Sequence, residues 1–342
     1  MQKSLPYATL NTYHPDCNEL EIKKLQLLYE GGSAIEKSAN LFIHRETMET
    51  SDMSYHNRLK CVSYRNYFAK IVNDYVADLF SKSFAVMPAA DASDASTPGD
   101  KINTTEGDKF WREFASNTDL KNHNLINVLS NVLTEGLTCG RAYIGADFPK
   151  SDIIPQSQAE EDALGVARAY TICIPTLSVI DWDTDEFGKY RYVILKNESV
   201  PRKSFLEKRD KKVIQFKIWE KDESGVVKFS VYEVVCKIDK EPKKEDPCVL
   251  IDEGTVSFKD IPVLCLEVPT QLWIGGLIGN LCAEHLRRSS SLVHAMNKNL
   301  FSIPFYQQGP ELPANGDLNS MNQNTHRGNQ TASQMRLRGF AV

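Results

Sequence analysis

Apolar side chains recur at Ile274, Leu277, Ile278, Leu281, Cys282, Leu286, Val293, Met296 and Leu300, mostly in steps of three or four residues. That spacing predicts a long helix within Gln271–Gly309 with one apolar face, Asn280, Glu284, Arg287, Arg288, Asn297 and Lys298 falling mainly on other faces. At about 1.5 Å per residue such a helix is roughly 40 Å long, so it must pack on something extended, either its own sheet or copies of itself. Pro304 stops it and Gly309-Pro310 turns the chain.

Ahead of this helix the pattern changes several times. Residues 1–17 are polar and interrupted by proline, and read as an arm. Asn18 caps a short helix through Glu30 that Gly31-Gly32 ends, and residues 33–53 read as loop with a short helix. Tyr64, Phe68, Ile71, Val72, Tyr75, Val76, Leu79 and Phe80 form a core-facing stripe that predicts one helix over Ser54–Phe84. Pro88–Gly107 is small, polar and acidic, a surface loop. A third helix follows over Asp108–Glu135, with a kink or break around Asn117–Asn124.

From Gly136 the signal becomes alternating. Ala142–Ala146, YTICIP, LSVIDW, YRYVILKN, KKVIQFKIWEK, VVKFSVYEVVCKI and IPVLCLEVP read as strands, and Lys211–Ile238, with its turn at Glu223-Ser224-Gly225, as a hairpin. The segment after Gly309 is rich in Asn, Gln, Gly and Ser and reads as poorly ordered, in a chain truncated before a closing element. The fold class is therefore α+β, without the βαβ repeat of a nucleotide-binding fold. Five regions follow: residues 1–53, 54–195, 196–262, 263–303 and 304–342.

Composition narrows the class. Of 342 residues, 42% are hydrophobic and 25% charged, as in an ordinary soluble globular chain. No apolar run reaches the roughly 20 residues that span a bilayer, and MQKSLPYATLNTYHPD lacks the apolar core of a signal peptide, so no membrane association is expected. The eight cysteines are scattered, with no CxxC pair, and read as buried reduced thiols. A net charge of −5 excludes broad electrostatic wrapping of nucleic acid; any contact with DNA is local, or lets DNA pass.

Candidate chemistry is sparse. There is no GxxxxGK[ST], GxGxxG or GxSxG. Gly275, Gly276 and Gly279 open the long helix at a cost of roughly 2–3 kcal/mol relative to alanine, which points to tight packing there, with Leu281 beside them. Asp181, Asp183 and Asp185 start like a calcium loop, but Glu186 stands where glycine is required and Tyr192 where glutamate is, so a polar turn between strands is the reading. No catalytic, cofactor-binding or metal-ligating constellation emerges, and no cofactor is expected. Basic residues cluster at Arg202, Lys203, Lys208, Arg209, Lys211 and Lys212 and again at Lys237, Lys240, Lys243 and Lys244, interleaved with acids. They read as a solvated face or as a docking surface for a partner, with Lys203, Arg209, Lys211 and Lys212 as its core.

Taken in order, LYEGG at Leu28–Gly32, the YRNYF helix, GRAYIGADFP at Gly140–Pro149, YTICIP, VIDW at Val179–Trp182, HLRRSSS at His285–Ser291 and IPFYQQG at Ile303–Gly309 resemble the portal proteins of tailed, especially short-tailed, double-stranded DNA bacteriophages. The resemblance covers about Leu28–Gly309, and the chain is shorter than that family's pattern. It implies an elongated subunit with a helical wing up to about Pro149, a β-rich clip between about Lys196 and Pro247, and a stem-type helix over Gln271–Asn299. It also implies a ring, commonly of twelve copies, at one capsid vertex of the virion, assembled in the host cytoplasm. Its partners are then its own copies, the capsid protein, the terminase packaging motor, a tail adaptor and duplex DNA that passes without sequence recognition. On this reading Gly275, Gly276, Gly279 and Leu281 pack the ring's helices, and the protein is not an enzyme. Two other readings stand beside it: a metal-dependent enzyme acting on nucleic acid through Asp181 and Asp183, and another virion structural or adaptor protein.

Overall fold

The computed structural model describes residues 3–47, 49, 51–82, 106–148, 157, 160, 168–202, 209–238, 240–256 and 258–300. The chain divides into a unit of residues 1–294 and a second of residues 295–342; the following concerns the first. Helices and strands both contribute, in a mixed α+β arrangement.

A six-stranded antiparallel sheet holds β1 (Ser4–Pro6), β4 (Val179–Thr184), β5 (Tyr190–Ser199), β6 (Lys211–Lys221), β7 (Val227–Lys237) and β8 (Pro247–Val256), in the order β1-β8-β7-β6-β5-β4. Alternation along β6 explains why both faces of this sheet are covered. Ile214 and Phe216 point to one side, where they meet Ile194, Val234 and Cys248 under Tyr7 and Leu10. Trp219 points to the other side, toward Val193, Val227 and a three-stranded sheet of β3 (Tyr170–Ile174), β2 (Arg141–Asp147) and β9 (Val263–Glu267). That second layer contributes Tyr143, Ile174 and Val263. The boundary drawn between residues 195 and 196 falls inside β5.

Helices α2 (Glu19–Glu30), α5 (Tyr67–Leu79), α7 (Leu125–Cys139) and α8 (Ile274–Leu300) share a second core of Leu25, Leu28, Phe68, Val72, Leu137, Ile274 and Leu286, joined by Ile35 of the short α3 (Gly32–Lys37) and by Phe42 and Ile43. Asn18 caps α2 by accepting from the Glu21 amide at 3.2 Å, as its position ahead of the apolar spacing predicts.

Four expectations need correction. Residues 4–10 are not an arm: they form β1 and a one-turn helix α1 (Tyr7–Leu10) that seals one face of the large sheet. The single helix expected over Ser54–Phe84 is two, α4 (Asp52–Leu59) and α5. Asn66 makes the break: its side-chain Oδ1 accepts from the Ala69 backbone N–H at 2.9 Å, starting a new helix, while its side-chain Nδ2 donates to the Tyr29 carbonyl at 2.6 Å. The core-facing stripe is split as well, since Phe68 and Val72 are buried but Ile71, Tyr75 and Leu79 face outward, as does Tyr67, which is not part of that stripe. Finally, β8 is a full strand that the charged residues around it hid. The expected break in the third helix falls between α6 (Glu106–Ser116) and α7, where Leu120 and Asn122 adopt φ of 59° and 67°.

Candidate functional site

The first turns of α8 are built on contact within the chain. Trp273 donates its indole N–H to the Thr138 carbonyl at 3.1 Å, at the end of α7. A Cβ on Gly275 would overlap that same carbonyl oxygen, one on Gly276 would overlap the Trp273 indole, and one on Gly279 would lie 2.5 Å from Leu25 Cδ2. The close approach inferred from these glycines is therefore satisfied by α7, Trp273 and α2. Farther along, Leu286 is fully buried, Arg287 donates from Nε to the Phe42 carbonyl at 2.8 Å, and Ser290 accepts from the Ser63 amide at 3.1 Å. Three residues of HLRRSSS thus lock the helix to the core.

The opposite side of α8 has no such cover. Leu277, Leu281 and Leu292 are 63%, 69% and 62% exposed, each far beyond what an apolar side chain in a closed core shows. His285, on the same side as Leu281, meets the Tyr67 ring edge-on with centroids 6.0 Å apart. Tyr67 begins the outward ladder of α5, continued by Ile71, Tyr75 and Leu79 at four-residue steps. Of the four residues assigned to ring packing, Leu281 lies on this outer surface and the three glycines lie on the inner one.

The basic residues separate in a similar way. Lys203 lies outside the described residues. Arg209 and Lys211 are exposed. Lys212 is instead tucked in, with its ammonium 2.7 Å from Glu241 and 3.1 Å from Glu198. Burial works against its charge, yet the two carboxylates outweigh burial and hold its pKa above the ordinary lysine value. Lys212 thus ties β6 to its neighbours and, unlike Arg209 and Lys211, is held in ion pairs within the chain.

Among the described residues, no three His, Cys, Asp or Glu side chains come together as a group that could hold a metal ion. Asp181 and Asp183 sit on β4, where Asp181 accepts from the Tyr192 hydroxyl at 3.2 Å and Asp183 faces Arg191 at 3.4 Å. Asp185 accepts from the Phe187 and Lys189 amides and so organises the turn into β5. Burial pushes the thiols of Cys17, Cys139, Cys173, Cys248, Cys265 and Cys282 up, which leaves them neutral and unreactive at pH 7. A groove of about 590 Å³ between the two sheets holds the Lys217–Asp147 ion pair at 2.6 Å, with Lys217 also 4.5 Å above the Trp219 ring. A smaller cavity of about 270 Å³ lies beneath α2, where Arg141 stacks on Trp182.

The sequence signal for the outward ladder was present, because Tyr67, Ile71, Tyr75 and Leu79 share one i, i+4 line, but the neighbouring line of Phe68, Val72 and Val76 hid it. No protein-family model matches this chain, and no curated protein matches it.

Proposed function

We infer that the chain is the ring-forming subunit of a phage portal, a conduit for duplex DNA at a capsid vertex. The conduit carries no catalysis of its own; hydrolysis of ATP belongs to the separate packaging motor. Its partners are its own copies, the capsid protein, that motor and a tail adaptor. The ordered motifs from LYEGG to HLRRSSS raise the reading. The observation that carries it is the outer side of α8 and α5: Leu277, Leu281 and Leu292 with Tyr67, Ile71, Tyr75 and Leu79 in one chain, all outside the core. An apolar face of that extent marks a surface that another protein covers. A head-to-tail contact between copies covers it and closes into a ring.

Negative-stain electron microscopy of the purified protein tests this. Rings with a central hole are the expected particles. Leu277→Glu with Leu281→Glu should disperse them into folded monomers, because two charges cannot be buried unpaired at such a contact. A wild-type chain that is folded by circular dichroism and stays monomeric at high concentration would overturn the reading.

A further inference from the structure

We propose that one end of the six-stranded sheet is a binding surface for the phosphate backbone of duplex nucleic acid, formed by Arg209, Lys211, Lys237, Lys240, Lys243 and Lys244. The two basic clusters are separated in sequence, and the sheet register brings them together. Lys211 pairs directly with Lys237 at the first rung of the β6–β7 ladder. Like charges opposite one another on neighbouring strands oppose pairing, so this rung is a local cost to the hairpin. All six side chains are exposed, and none has an ion-pair partner among the described residues.

The acids nearby offset only part of this charge. Glu198 and Glu241 are taken up by Lys196 and Lys212. Asp246 accepts from the Lys243 amide at 2.7 Å and keeps its negative charge, as do Asp210 and Glu245, so the six cations still outnumber the acids left among the described residues; Asp239 lies outside these. The loop that carries the cations is also tied down. Ile238 donates to the Asp210 carbonyl at 3.2 Å, Lys240 to the Lys237 carbonyl at 3.0 Å and Ala8 to the Lys244 carbonyl at 3.0 Å. The backbone is thus fixed, while the lysine stems stay free to follow an irregular row of charges.

Two features favour phosphates over an acidic protein. Five of the six cations are lysines, which protein–protein contacts deplete and which meet phosphates as point charges. The group also contains no tyrosine or tryptophan of the kind that anchors a protein interface. With a net charge of −5 over the whole chain, these cations included, the remaining surface repels DNA, so contact is confined to this end, is blind to base sequence and is released by salt. The proposal stands on the strand ends alone and does not depend on ring formation.

The test is fluorescence anisotropy of the full chain with a random-sequence 20-base-pair duplex over a salt series. Four to six phosphate contacts predict an affinity loss of about 10²–10³-fold between 50 and 200 mM salt. K211Q/K237Q/K240Q should lower the log–log slope by about three, while K23Q/K37Q/K70Q, on exposed helix surfaces, should leave it unchanged. Circular dichroism of both variants reports whether they fold, and single K237Q, expected to lower the slope by about one, serves if the triple variant does not. Absence of salt-dependent duplex binding by the wild type overturns the proposal. So does an unchanged slope in the lysine variants. Polyglutamate bound as tightly as the duplex, through the same lysines, reassigns the surface to an acidic protein and also overturns it.

Discussion

Arg58 is the most deeply committed charge in the described chain. It is 6% exposed, donates from Nε to Glu49 at 2.8 Å, reaches the His44 carbonyl, and packs on the Tyr55 ring at 5.7 Å. The hydrogen bond from Arg58 is the main reason the Glu49 carboxyl is held down at about 2. A lowered carboxylate pKa gives stability that is complete above the group's ordinary value of 4.5 and is lost as pH falls toward about 2. Melting temperature should therefore drop across that window, and Arg58→Ala should remove this part of the drop. The same substitution should cost about 2–4 kcal/mol at neutral pH in denaturant unfolding, because it leaves the partly buried Glu49 carboxylate without its main partner. Gly275→Ala should cost at least about 2 kcal/mol, since a methyl group has no room beside the Thr138 carbonyl; Gly188→Ala, where nothing lies within 4 Å, should lose only the smaller amount that its φ of 75° imposes. None of this was legible in the sequence beyond the presence of glycine, because the opposing carbonyl comes from a helix more than a hundred residues earlier.

Helices and strands were legible to the extent that one side of each faces one neighbour. The β6–β7 hairpin follows directly from alternation, with Lys211 paired to Lys237 and Lys221 to Val227. For α8 the periodicity found the helix but could not say which of its two apolar lines is inside. Leu286 sits among Phe42, Phe68 and Val72 in the core, whereas Leu281 is outside it. Leu286→Ala should accordingly cost about 2–5 kcal/mol in chemical unfolding, and Leu281→Ala less than about 0.5 kcal/mol in the isolated subunit. Equal losses would mean that the outer line is covered within the chain. The break between α4 and α5 had a readable signal in Asn66, a good capping residue just ahead of Tyr67, but an uninterrupted apolar stripe overrode it. Leu5, Tyr7 and Leu10 were hidden for another reason: so short a segment shows no period, and only the sheet beneath it makes its apolar residues useful.

At the scale of the whole molecule, the large sheet is shared between the first residues and residues 179–256. Removing residues 1–13 takes away Tyr7 and Leu10, buried at 7% and 3% exposure, and should lower stability by about 3–6 kcal/mol in urea unfolding. An unchanged midpoint would show that the segment merely rests on the surface. The pairing of Ser4 with Val249 has a consequence for synthesis. On a ribosome adding roughly 5–20 residues per second, the first strand emerges roughly 12–50 s before its partner exists. Until β6 and β7 are made, Leu5, Tyr7 and Leu10 have no sheet to cover, and that hairpin can pair while one side of it is still wet. The nascent chain therefore passes through a stage with an open apolar sheet face, and closure comes only when Ser4–Pro6 meet the much later strand at Pro247–Val249.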